Sequence, residues 1–96
     1  MALIVQLTFA QQRTISGTVS DENGLPLFGA TVVISGTSTG TTTDFDGNYK
    51  INTNTGDVLS FSYVGYQSQN ITVGTSNTVN ATLQLDNPLE EVVGPR

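Results

Sequence analysis

The stretch Arg13-Thr14-Ile15-Ser16-Gly17-Thr18-Val19-Ser20-Asp21-Glu22-Asn23-Gly24 decides how the rest of the chain is read. Ile15, Gly17 and Val19 recur with a period of two, which places them on one face of an extended strand. Asp21 to Gly24 then reads as a turn, because Asn and Gly tolerate positive φ. Leu25-Pro26-Leu27 stays extended, since Pro26 disfavours helix at the residue before it. The same alternation of strand and turn continues toward the C-terminus. Ala30 to Ser35 is a strand with Ala30, Val32 and Ile34 inward. Gly36 to Thr43 is a turn followed by an edge strand with little core content, and Asp44-Phe45-Asp46-Gly47 is a tight turn. Tyr49 and Ile51 lie in a strand ending near Thr53, and Asn54 to Asp57 turns again. Val58 to Val64 places Leu59, Phe61 and Tyr63 on one face, and Gly65 breaks it. Gln67 to Val73 alternates through Ile71 and Val73. After a turn at Gly74 to Asn77, Val79, Ala81, Leu83 and Leu85 repeat every second residue. No window shows helical periodicity with caps. About seven short strands at this spacing predict an all-β fold, a seven-stranded Greek-key sandwich.

Composition agrees. The chain has 96 residues, enough for one domain, and its small size makes an economical core necessary. It has no cysteine, so apolar packing and sheet hydrogen bonds must supply the stability. Thr dominates the polar residues and favours strands through its branched Cβ. Lys and Arg total 3 against 8 Asp and Glu, a formal charge of −5. That balance argues against nucleic acid and against electrostatic docking on anionic lipid.

The ends read differently from the middle. Residues 1–12 open on an apolar run, with Thr8 and Ala10 spaced like the small residues of a signal-peptide cleavage site. The segment is read as a signal-peptide remnant. The alternative is an extra edge strand, in which Leu3, Val5, Leu7 and Phe9 alternate. The run is too short for a transmembrane helix, which needs about 20 apolar residues. The sandwich is assigned to 13–86, and 87–96 is a short acidic-apolar tail.

Catalytic chemistry has little to work with. The chain has no histidine and no cysteine, which removes the usual general base, the thiol nucleophile and the best zinc ligands. No phosphate-binding GxxxxGK[ST] loop is present. No catalytic residue, cofactor or metal site is predicted. Asp44, Asp46 and Asn48 alternate like the first ligands of a calcium loop. Gly47 and Thr55 stand in the wrong places for that loop, so an Asx-capped turn is the expectation. Asn70-Ile71-Thr72 and Asn80-Ala81-Thr82 match the glycosylation pattern but fall within strands. With Lys50 the only lysine, a Lys–Asn isopeptide crosslink from the first strand is not expected. Phe61 and Tyr63 share a face with Leu59 and are read as core, whereas Tyr66 is expected to be partly exposed.

Three runs carry a family resemblance. Ile15 to Val32 is similar to the "GxVxDxxGxPLxGAxV" opening of carboxypeptidase-regulatory-like domains. Gly36 to Tyr49 resembles their "GTxxGTxTDxDGxY" segment, and Leu59-Ser60-Phe61-Ser62-Tyr63-Val64-Gly65-Tyr66 resembles their "LxFSYVGY" strand. In this order they look like the N-terminal extension of SusC/RagA-type TonB-dependent outer-membrane transporters. The resemblance implies a transthyretin-like (prealbumin-like) sandwich in the periplasm, without enzymatic activity. Leu89-Glu90-Glu91-Val92-Val93 resembles the start of a TonB box, and Gly94-Pro95-Arg96 departs from the family's continuation. The implied partners are a TonB-type energising protein or a SusD-like lipoprotein, reached through a parent transporter of glycans or peptides. A carbohydrate-binding or adhesin-type module is the competing reading, motivated by Tyr66 and the Asn- and Thr-rich strands. Open sheet edges also allow strand addition, including homo-association through residues 3–9.

Overall fold

The computed structural model describes residues 12–86. The expectations for residues 1–11 and for Leu89, Glu90, Glu91, Val92 and Val93 lie outside the described residues. Seven strands follow one another: β1 (Arg13–Asp21), β2 (Thr31–Ile34), β3 (Gly40–Thr42), β4 (Asn48–Thr53), β5 (Val58–Ser62), β6 (Gln69–Thr72) and β7 (Ala81–Leu83). They form a three-stranded sheet in the order β4-β1-β7 and a four-stranded sheet in the order β3-β2-β5-β6. The all-β sandwich expected from the period of two is therefore present.

Each sheet turns its apolar face toward the other. Ile15 and Val19 of β1, Tyr49 and Ile51 of β4, and Ala81 and Leu83 of β7 face inward from the smaller sheet. Val32, Ile34, Leu59 and Phe61 meet them from β2 and β5. These residues alternate with exposed or half-buried ones, most of them polar, as pleating requires. Tyr49 meets Phe61 across the interior edge to face, with ring centroids 5.6 Å apart.

Register is pinned where the sheets begin and end. β1 runs antiparallel to β4, pairing Ile15 with Ile51 and Gly17 with Tyr49. Its C-terminal half pairs in parallel with β7, Val19 opposite Ala81 and Asp21 opposite Leu83. Just before β7, Val79 donates its N–H to the Ser16 carbonyl at 2.9 Å, and Ser16 donates to Asn77 at 3.0 Å. Gly17 is what lets this segment come so close. A Cβ at Gly17 would lie 1.8 Å from the Val79 carbonyl oxygen, so only glycine fits.

Several boundaries differ from the sequence reading. β5 stops at Ser62, and Tyr63 continues past it as a half-buried residue against the core. β7 is three residues long, and Leu85 is 49% exposed rather than inward. After Leu83 the chain leaves the β1 partner and bridges to Tyr66 instead, which ends the inward alternation. Thr43 is also buried, although the stretch containing it reads as poor in core residues.

Candidate interaction surface

The topology sorts the loops into two groups at opposite ends of the sandwich. Because β2 pairs antiparallel with β5 and β1 with β4, four segments meet at one end. These are the β1–β2 loop, the β3–β4 loop, the β5–β6 loop and the segment after β7. The opposite end carries the β2–β3, β4–β5 and β6–β7 turns, which are Gly-, Ser-, Thr- and Asn-rich. Among the described residues, the exposed large apolar side chains are Leu25, Phe28, Phe45, Val64 and Leu85. All five belong to the first end.

Two of the loops there are built by the same device. The Asp21 carboxylate accepts hydrogen bonds from the N–H groups of Asn23 and Leu25 at 2.8 and 2.9 Å. The Asp44 carboxylate accepts from Asp46 and Asn48, both at 2.9 Å. In each case the glycine three residues on donates back to the Asp carbonyl, at 2.9 Å for both Gly24 and Gly47. These are Asx-type turns, in which a side-chain oxygen replaces a ladder partner. The Asp44 carboxylate is thus engaged by its own turn, as the Asx-capped reading anticipated. Gly47 adopts φ 77°, and a Cβ there would sit 2.6 Å from the Val19 carbonyl oxygen and 3.0 Å from Pro26. The β3–β4 turn therefore lies directly against the β1–β2 loop.

Thr43 fastens these two loops together. Its hydroxyl donates to the Leu27 carbonyl at 2.5 Å and accepts from the Ala30 N–H at 2.9 Å. Its backbone N–H donates to Ala30 at 3.0 Å, and its carbonyl accepts from Gly29 at 3.1 Å. Phe28 sits between the clamped residues. Its ring stacks on that of Phe45, with centroids 4.3 Å apart and planes 14° from parallel. Phe28 is nevertheless 53% exposed and Phe45 77%. The pair is a fixed aromatic step on the surface rather than part of the core.

The β5–β6 loop completes this end. Tyr66 donates its N–H to Tyr63 at 3.0 Å across Gly65, and Asp86 donates to the Gly65 carbonyl at 2.9 Å. The Tyr63 and Tyr66 rings lie 5.6 Å apart and tilted by 54°, both half-buried against the core. Partial exposure of Tyr66 follows the sequence expectation. Desolvation and the negative charges of Asp21 and Glu22, with a contribution from Tyr63, hold the Tyr66 phenol above its usual range.

Elsewhere the functional groups are engaged structurally. The Tyr49 hydroxyl donates to the Val79 carbonyl at 2.6 Å, and burial pushes its pKa up to about 12. Asn80 accepts the Thr18 N–H through its side-chain oxygen at 2.9 Å. Thr18 donates its hydroxyl to the Asn48 side chain at 2.8 Å, and Thr14 to that of Asn52 at 2.7 Å. A shallow polar groove runs over the outer face of β1 and β4, lined by Ser16, Thr18, Asn48, Lys50 and Asn80. Lys50 is the cross-strand partner of Ser16 in this groove, and the described residues contain no cluster of His, Cys, Asp and Glu able to hold a metal. The aromatic step, the Thr43 clamp and the paired Asp turns were not singled out as a site from sequence. The one available signal was phenylalanine inside turns, at Leu27-Phe28-Gly29 and Asp44-Phe45-Asp46.

Comparison with known proteins adds what geometry does not. The family model for the CarboxypepD_reg-like domain matches residues 15–93. The chain belongs to that family. A TonB-dependent receptor of Formosa agariphila is 54% identical over 79 residues, covering 82% of this chain and 8% of the receptor. The TonB-dependent receptor SusC of Bacteroides thetaiotaomicron is 46% identical over 86 residues, covering 88% of the chain and 8% of the receptor. The chain thus spans under a tenth of the length of these two relatives. A chain of a type II cohesin–X-dockerin complex from Acetivibrio cellulolyticus superposes with a TM-score of 0.53 at 22% identity. It covers 72% of this chain and 51% of that one, and it supports the fold alone. The CarboxypepD_reg-like assignment agrees with the resemblance carried by the Ile15–Val32, Gly36–Tyr49 and Leu59–Tyr66 motifs.

Proposed function

We propose that this CarboxypepD_reg-like domain is a non-catalytic accessory module of a TonB-dependent outer-membrane nutrient transporter of SusC type, working on the periplasmic side. The observation that carries the reading is the 54% identity to a TonB-dependent receptor across 82% of the chain. The structure supports contact as the mode of action, because the sandwich presents open sheet edges and a loop end with exposed apolar side chains. In this reading the module acts by contact, orienting the acidic-apolar segment Leu89 to Val93 for a TonB-type protein or supporting a SusD-like lipoprotein. The transported cargo would be a glycan or a peptide.

Deletion of residues 13–86 in the parent protein tests this. Growth on the transporter's substrate should fall while the barrel still reaches the outer membrane. Unchanged growth and unchanged assembly with the lipoprotein would overturn it.

A further inference from the structure

The loop end of the sandwich combines exposed apolar side chains with a concentration of carboxylates. It carries the exposed apolar side chains Leu25, Phe28, Phe45, Val64 and Leu85. It also carries five of the six carboxylates among the described residues, those of Asp21, Glu22, Asp44, Asp46 and Asp86, with Asp57 at the other end. No Lys or Arg lies in the loops that form it. Large apolar groups gathered on a surface mark an interaction site. The stacked Phe28–Phe45 pair is also held in place before any partner arrives, because Thr43 ties down the loop that bears Phe28. Preorganisation of this kind lowers the cost of binding.

Charge then selects among occupants. A second copy would bring an equally acidic rim against this one, and like charges across an interface are costly. The chain's own tail, Leu89 to Val93, carries Glu90 and Glu91 and meets the same repulsion. Anionic lipid is disfavoured for the same reason. We infer that the loop end around Phe28 and Phe45 is a docking surface for a cationic, apolar polypeptide segment: an aliphatic or aromatic side chain seated on the Phe28–Phe45 step, flanked by Lys or Arg facing Glu22 and Asp46. The apolar contact supplies affinity near the centre, and the carboxylates supply orientation and on-rate at the rim. The inference goes beyond the transporter reading and does not depend on it.

The test uses the full 96-residue chain, isotopically labelled for NMR. Three short synthetic peptides of equal length are titrated in: one of Lys, Leu and Trp, one with Glu replacing Lys, and one with Ser replacing Leu and Trp. The Lys-Leu-Trp peptide should shift the Phe28, Phe45, Glu22 and Asp46 signals and bind at least about tenfold more tightly than either control. Its affinity should fall as salt is raised. Phe45→Ser should weaken it on the order of tenfold. The double substitution E22Q/D46N, which keeps the Asp21 and Asp44 carboxylates and the backbone hydrogen bonds they accept, should remove most of the salt dependence. Equal binding of the Glu peptide, shifts confined to the opposite end or to a sheet edge, or no binding at all would each overturn the inference. So would nuclear Overhauser contacts between Leu89–Val93 and the Phe45 ring in the free chain, or dimerisation through this end. Failure here leaves the growth experiment on the parent protein untouched, so the two conclusions fall separately.

Discussion

Thr43 shows how much one side chain can organise in a domain of this size. It is 3% exposed, and its hydroxyl accepts from the Ala30 N–H and donates to the Leu27 carbonyl. Thr43→Val keeps the shape but leaves the Ala30 N–H and the Leu27 carbonyl unpaired. The expected loss is about 1–3 kcal/mol, measurable by urea denaturation. Tyr49 makes a second single-residue case, with its hydroxyl on the Val79 carbonyl and its pKa raised to about 12. The folded state keeps its proton where the unfolded chain, with a phenol near 10, has lost it. Stability contributed by Tyr49 is therefore complete below pH 10 and declines as pH rises from there toward 12. Tyr49→Phe should flatten the decline in denaturation midpoint over that window relative to the wild type, while lowering stability at neutral pH by about 1 kcal/mol. An unchanged alkaline slope would show that the tyrosine is not what titrates.

At the scale of the element, the two Asp turns form a natural comparison. Asp21 and Asp44 hold equivalent sets of hydrogen bonds, but Asp21 is buried and Asp44 is exposed. Water can replace the carboxylate at Asp44 more readily than at Asp21. Asp21→Ala should therefore cost about 1.5–3 kcal/mol and Asp44→Ala about 1 kcal/mol, read from urea midpoints. Equal losses would mean that burial plays no part. These turns were legible in the sequence because Asp-x-x-Gly specifies its own local geometry. The strands were legible because Val32, Ile34, Leu59, Phe61, Ala81 and Leu83 keep the period of two. The loop-end surface was not, since Phe28 and Phe45 are 17 residues apart and meet only after β2 and β3 have paired. Leu85 and Thr43 were misplaced for a related reason: local pattern says nothing of where a chain leaves its neighbour or which hydroxyl a fold encloses.

For the molecule as a whole, the closing step is the parallel pairing of β1 with β7, from opposite ends of the sandwich sequence. Among the described residues, β7 and the segment leading into it are what flank β1 on that side. A chain ending at Gly74 should lose cooperative unfolding, because Ile15, Val19, Leu59 and Phe61 would be left partly uncovered. Gly17→Ala attacks the same junction from within. With a methyl group driven into the Val79 carbonyl, the expected cost is about 3 kcal/mol or more, seen as a lowered melting temperature. Wild-type melting in that variant would mean that the segment before β7 can move aside freely.

The direction of these two strands has a mechanical corollary. β1 starts at the polar end of the sandwich and β7 finishes at the aromatic end, side by side and pointing the same way. Tension applied between the chain's two extremities would drag them past each other lengthwise. The Ser16–Asn77, Val79–Ser16 and Val19–Ala81 contacts would then bear load together instead of peeling open in turn. Rupture under such sliding load is governed by the unfolding barrier rather than by equilibrium stability. A module wired in this way behaves as a tether that stays rigid until a threshold pull, and then gives way at once.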